Sequence, residues 1–155
     1  TVMSDHPLLN QPAPDFSLPA DDDSSYLLSA HRGRSQLLVF YPGDNTPVCT
    51  AQLCDYAEGI DSFAGLGVDV VGISVDSAES HRAFKAKKQL PFTLLTDKGL
   101  KVAAQYGAKG LLGMKRAVFL VDAAGVVRYA HVEAVALLKR GREELLTAIR
   151  ALSAA

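Results

Sequence analysis

Leu37-Leu38-Val39-Phe40-Tyr41 is the feature that most narrows the fold. It is a continuous apolar run too short for a helix, as expected of a strand buried on both faces. Val68 to Val75 reads as another central strand, and about 25 residues of loop and helical pattern lie between the two. A strand, a helical crossover and a second buried strand predict a parallel pair covered by helices.

The rest of the chain extends that unit. Leu53, Tyr56, Ala57, Ile60 and Ala64 fall on one face of a helix predicted from Cys49 to about Phe63. Ser77 is placed to cap the next helix, which runs to about Lys88 with Ala83, Phe84 and Leu90 inward. Phe92 to Leu95 reads as a short strand, and Leu100 to Tyr106 as a short helix ended by Gly107. Ala117–Val121 and Val126–Ala130 are strands joined by the turn Asp122-Ala123-Ala124-Gly125. A last helix, about Arg142 to Leu152, offers Leu145, Leu146, Ile149 and Leu152 to the core. Ahead of all this, a proline-bearing lead-in meets short strands at Phe16–Leu18 and Tyr26–Ser29. They flank Asp21-Asp22-Asp23, expected to be a solvated turn. The reading is a single α/β domain over residues 1–155. It has a thioredoxin-like fold, with a mixed central sheet flanked by helices and an N-terminal β-hairpin extension.

Composition removes several function classes. Sixteen basic and 17 acidic residues give a net charge of −1 and no electrostatic case for nucleic acid or an anionic membrane. No apolar stretch approaches the roughly 20 residues of a membrane span. The first residues lack the basic and apolar regions of a signal peptide, so a cytoplasmic location is expected; a cleaved transit peptide leaves no trace in what remains. Hydrophobic residues make up 48% of the chain, enough for a core that needs no disulfide.

The two cysteines, Cys49 and Cys54, stand just after the first apolar run. Thr46 is placed as N-cap and Pro47 as first helical residue, so Cys49 falls in the first turn. Free amides and the positive end of the helix dipole favour a thiolate there. Residues five apart in an ideal helix have Cα atoms roughly 8–9 Å apart, beyond the disulfide limit of about 7 Å. If both cysteines are helical, they cannot bond until that helix unwinds, which suits a redox cycle and not a structural bridge. Cys54 falls off the apolar stripe, nearer Glu58 and Asp61, on a side open to a reductase after unwinding. The competing reading is packing alone, since Cys49 precedes Leu53 by one turn on the apolar stripe. Zinc would need two further ligands, and His6, His31, His81 and His131 are scattered singly. No metal or other cofactor is expected.

Pro42-x-x-x-Thr46-x-x-Cys49 resembles the peroxiredoxin active-site pattern. The wider run from Phe40 to Thr50, with Cys54 five residues beyond Cys49, is similar to the PrxQ type, the bacterioferritin comigratory protein subfamily. The likeness extends over nearly the whole chain, through Pro14–Leu18, Val71–Ser74, Phe92–Asp97 and Arg116–Asp122. It implies that Cys49 is the peroxidatic cysteine and Cys54 the resolving one. Thr46 would hydrogen-bond the sulfur and the peroxide, and Pro42 would shield the thiolate. Arg116 would stabilise the thiolate and polarise the peroxide, although an arginine beside Lys115 is by itself an ordinary surface charge. Two positions depart from the pattern. Gln52 stands where a glutamate commonly partners the arginine, and Val48 where glycine is common.

The implied function is a thiol-dependent peroxidase acting on hydrogen peroxide and organic hydroperoxides. Cys49 would pass through sulfenic acid to an intramolecular Cys49–Cys54 disulfide recycled by thioredoxin. An intrachain resolving thiol lets a monomer suffice. A thioredoxin-type disulfide oxidoreductase would normally carry C-x-x-C. A redox-responsive binding module, in which a Cys49–Cys54 bond melts a helix, is the non-enzymatic alternative. The apolar loop Leu111-Leu112-Gly113-Met114 before Arg116 could wall a pocket, form a contact surface, or simply pack.

Overall fold

The computed structural model describes residues 6–111, 113–134 and 139–154. Leu112, part of the apolar loop noted above, lies outside them. The chain runs β1 (Ser17–Pro19), β2 (Ser25–Leu27), β3 (Ser35–Phe40), α1 (Pro47–Glu58), α2 (Ile60–Gly65), β4 (Val68–Ser74), α3 (Ala78–Lys88) and β5 (Thr93–Thr96). It continues with α4 (Lys101–Gln105), β6 (Lys109–Gly110), β7 (Gly113–Met114), β8 (Ala117–Val121), β9 (Val127–Val132) and α5 (Arg142–Ala154). The central sheet has the order β5-β4-β3-β8-β9. The first two pairings, β4–β5 and β3–β4, are parallel; β8 pairs antiparallel with both β3 and β9. This is the mixed sheet expected, with the β1–β2 hairpin as a separate two-stranded element.

Side chains alternate along a strand, so a strand buried on both faces feeds two cores. Leu38 and Phe40 join Val71, Ile73, Phe119 and Val121 on one face, against Tyr106 and the N-terminal segment. Leu37, Val39 and Tyr41 join Val70, Leu94, Val118 and Leu120 on the other, against Leu53 of α1, Phe84 of α3 and Leu145 and Ile149 of α5. Each fully buried side chain of this kind contributes about 1.5–3 kcal/mol. Leu53 and Tyr56, both fully buried, are therefore what holds α1 on the sheet.

Several details differ from the sequence expectation. The helix expected from Cys49 to Phe63 breaks at Gly59 into α1 and α2. A Cβ on Gly59 would lie 2.9 Å from Arg142 Cδ, so the break sits against the side chain that opens α5. Ala64 and Ala83 are exposed, and Leu152 is 37% exposed; none of them is inward. Asp21 is not in a solvated turn. It is buried, accepts the Leu94 backbone N–H at 3.0 Å and pairs with Lys85 at 3.1 Å, which ties the hairpin end to the sheet edge. The loop before Arg116 forms a small hairpin, β6–β7, with Leu111 fully exposed at its turn.

Candidate active site

The loop after β3 brings the cysteine segment into place. Thr46 has extended backbone (φ −81°, ψ 147°) and Pro47 opens α1, so Cys49 is the third helical residue. The Thr46 hydroxyl makes no cap bond. It donates back to the Gly43 carbonyl at 3.1 Å instead, so Thr46 holds the cap position without the cap hydrogen bond. Asn45 takes a left-handed φ of 64°, which turns the chain from strand to helix, and Asn is among the residues that tolerate it.

Cys49 is fully buried in the core beneath α1, so the packing reading of this residue is met as well. Cys54 is half-buried and packs against the same core; it does not stand free on the Glu58 side. Both thiols are unbonded and both lie within α1, so the helical condition for their separation holds.

Arg116 arrives from the far side of the sequence by sheet register. Phe40 pairs with Ala117 across the antiparallel β3–β8 ladder, which sets Arg116 level with Tyr41. Period two places it on the same face as Val118 and Leu120, the face that α1 covers. It is no surface charge: only 3% of it is exposed. Its Nη1 donates to Gln52 Oε1 at 2.8 Å, and Gln52 is one turn along α1 from Cys49. Gln52 Nε2 donates to Tyr56 Oη at 2.9 Å, and that hydroxyl donates to the Arg140 carbonyl. Every donor in this line points the same way, so the Gln52 amide has one workable orientation, with its oxygen on the arginine.

Pro42 and Arg116 line one cavity of about 740 Å³, with Leu111, Met114 and Ala134 as apolar wall and Lys109, Lys115 and Glu133 as polar rim. The structure thus sets Pro42 and Arg116 on one cavity and links Arg116 to α1 through Gln52, while Thr46 stands at the cap of that helix, Cys49 lies buried in its first turn and Cys54 further along it. Among the described residues no helix is long and apolar enough to cross a membrane.

A model of the AhpC/TSA family matches residues 9–130. The chain belongs to the AhpC/TSA family. Within it the relatives are peroxiredoxins of the Q and Bcp type. Chloroplastic peroxiredoxin Q of Oryza sativa subsp. japonica is 42% identical over 122 residues, covering 77% of this chain and 56% of the rice protein. Peroxiredoxin Bcp of Bacillus subtilis (strain 168) is 38% identical over 125 residues, covering 76% of this chain and 80% of the other. The chain thus spans little more than half the length of the rice relative. Peroxidoxin BcpB of Mycobacterium tuberculosis superposes with a TM-score of 0.85 at 29% identity, covering 95% of this chain and 99% of that one. The resemblance read from the Pro42–Cys54 run and the thioredoxin-like fold both hold.

Three features of this peroxiredoxin site were not legible in the sequence. Tyr56, noted only as a core residue, completes the line from Arg116 to Arg140. Asp44 and His81 form a buried pair beside the loop, their atoms 2.8 Å apart. Glu133, buried on β9's exit, holds Arg140 at 2.9 Å and His131 at 3.1 Å. No spacing rule joins Asp44 to His81 or Tyr56 to Arg140, which are 37 and 84 residues apart; only the folded chain does.

Proposed function

We propose that the protein is a thiol-dependent peroxidase, a single domain over residues 1–155 working without a cofactor. The observation that carries the reading is Arg116, buried and aimed at Gln52 one turn from Cys49, where Pro42 opens onto the cavity. Cys49 thiolate attacks one peroxide oxygen. An S–O bond forms, the O–O bond breaks, and the leaving oxygen departs as water or alcohol after taking a proton. Arg116 supplies donors where charge develops on the peroxide oxygens, and the Thr46 hydroxyl, whose proton rests on the Gly43 carbonyl in the free protein, turns to donate there when peroxide binds. Pro42 keeps bulk water off the sulfur. The apolar wall of Leu111, Met114 and Ala134 gives an organic hydroperoxide a surface, so we assign both hydrogen peroxide and organic hydroperoxides as substrates.

Cys54 then attacks the Cys49 sulfenic sulfur, forming the disulfide and releasing water. Within α1 the two Cα atoms stand roughly 8–9 Å apart, so the helix must open first. A thioredoxin-like dithiol restores both thiols by exchange. Because both thiols come from one chain, a monomer is a sufficient catalytic unit. The compartment we assign is a reducing one, the cytoplasm, although the rice relative is named chloroplastic.

Peroxide-driven NADPH oxidation in the presence of thioredoxin and its reductase tests this. Wild type is expected to turn over and Cys49→Ser to be inert. Cys54→Ser is expected to consume one equivalent of peroxide and then stop. Absence of turnover in wild type, or its survival in Cys49→Ser, refutes the reading.

A further inference from the structure

Asp44 lies between Pro42 and Thr46, and the mechanism above gives it no part. Its side chain is 1% exposed, and that of His81, on α3, is 0% exposed. A buried carboxylate persists only when its lone pairs are filled. Tyr41 Oη donates to one oxygen at 2.7 Å. Ser80 Oγ donates to the other at 2.8 Å, and His81 Nδ1 lies 2.8 Å from that same oxygen. The remaining ring nitrogen, Nε2, is 3.0 Å from the Leu95 carbonyl, which can only accept. The Leu95 carbonyl takes the Nε2–H, and one further proton lies between Nδ1 and the Asp44 oxygen, so the pair carries no net charge.

The backbone of Asp44 is held too. Its N–H donates to Asp76 Oδ2 at 2.8 Å, and Ser74 Oγ donates to that oxygen at 2.7 Å. The end of β4, helix α3 and strand β5 therefore converge on a single loop residue. That residue lies between Gly43 and the left-handed Asn45, inside the turn closed by the Thr46 hydroxyl on the Gly43 carbonyl. Burial and the Asp44 carboxylate push the Tyr41 phenol well above its ordinary value, so it remains a donor to the pair.

We propose that the buried Asp44–His81 pair positions the Pro42–Thr46 loop, so that Thr46 and Pro42 meet a peroxide at Cys49 in the reacting geometry. The proposal rests on the peroxidase reading above. The two residues are positioning residues acting through the loop. A pair with no net charge has little field at a distance, so its effect falls on geometry and not on the ionisation of the sulfur. A misplacement of about 1 Å at a reacting centre costs on the order of 100-fold in rate.

The test uses the reduced full chain. Its rate with hydrogen peroxide is measured by competition against a second peroxidase of known rate. Its rate with iodoacetamide is measured by mass, and its folding by thermal melting. His81→Ala and Asp44→Asn are expected to slow the peroxide reaction at least about tenfold while alkylation of Cys49 by iodoacetamide, which needs an accessible thiolate but no donor from the loop, does not fall. His81→Asn, whose amide can donate from the Nδ1 position, is expected to recover most of the lost rate. Folded variants that react with peroxide at the wild-type rate overturn the proposal, as does alkylation that falls in parallel. Should His81→Ala not fold, the nearly isosteric Tyr41→Phe carries the test, with a several-fold slower peroxide step expected and a wild-type rate overturning it. A wild type that does not react with peroxide overturns the peroxidase reading and this one together. A reactive wild type with indifferent variants overturns this one alone.

Discussion

Replacing Asp55 by alanine should speed closure of the Cys49–Cys54 bond. Asp55 follows Cys54 on α1 and reaches the start of α5. Its Oδ2 accepts the Arg142 backbone N–H at 2.8 Å, and its Oδ1 lies 3.4 Å from Arg142 Nε. The thiols can meet only if the turn carrying Cys54 leaves helical geometry, and that turn carries Asp55 with it. The contacts to Arg142 must therefore break as the sulfurs approach. A hydrogen bond to a charged group is worth about 1.5–3 kcal/mol. The ion pair has side chains 33% and 28% exposed and adds little, about 0–1 kcal/mol after solvent screening. Taking about 2 kcal/mol for the sum, and about 1.4 kcal/mol per factor of ten, opening becomes about 30-fold more favourable. The assay adds one equivalent of peroxide to the reduced protein, quenches at intervals with acid, and separates sulfenic acid from disulfide by mass after alkylation. The expected result for Asp55→Ala is disulfide formation about 10- to 30-fold faster. Less sulfinic acid should accumulate in excess peroxide, because the sulfenic acid is removed sooner. Unchanged or slower closure, with an unaltered peroxide step, would refute the reasoning: α1 would not have to part from α5 for the thiols to meet.

Other outcomes follow from the same geometry. Tyr56→Phe removes the hydroxyl that accepts from Gln52 and donates to Arg140. It should cost about 1–3 kcal/mol in denaturant unfolding and slow the peroxide step several-fold as the Gln52 amide loses its fixed orientation. Acid stability should fall off in part through Asp69 and Asp122. Burial alone would raise Asp69, but Arg34 and Gln36 outweigh it; burial alone would raise Asp122, but the Val126 amide, Arg128 and the Ala124 amide outweigh it. Both are held below the ordinary value. Their contribution is therefore complete above the unfolded value of about 3.9 and is lost as pH falls through the lower folded values. Melting temperatures measured from pH 5 to 2 should drop below about pH 4, and less steeply in Asp69→Asn and Asp122→Asn. Gly72→Ala would set a Cβ 2.7 Å from Leu94 Cδ2 and 3.1 Å from Tyr41 Cε1 in a filled core, at a cost of about 1–3 kcal/mol readable from the denaturant midpoint.

Much of the fold was legible because its signals are local. Ser77 accepts the Ser80 N–H at 3.2 Å and starts α3 where a capping serine should. Gly107 takes φ 73° just after α4, the conformation that ends a helix. The errors came where a distant partner overrides local chemistry. Asp21 looks like any turn aspartate until the Leu94 amide and Lys85 close over it. The helix breaks at Gly59 although its apolar period runs on, and the Arg142 side chain lies where a Cβ at that position would be. The site divides the same way. Thr46, Pro47 and Cys49 are neighbours in sequence, and their order already implies a helix start with a cysteine in its first turn. The partners of Arg116 were hidden, because a ladder between strands about 80 residues apart decides what it faces.

By itself, the sequence determined the buried strands, the proline-led helix and the placement of two thiols five residues apart on it. Those follow from side-chain period and backbone preference, which act over a few residues. Only the tertiary structure decided that Arg116 is buried against Gln52, that α5 latches the helix the thiols must unwind, and that a buried aspartate–histidine pair joins α3 to the loop. Each of those depends on register and packing between segments, where the free energy of burying a polar group requires a partner that no local pattern names.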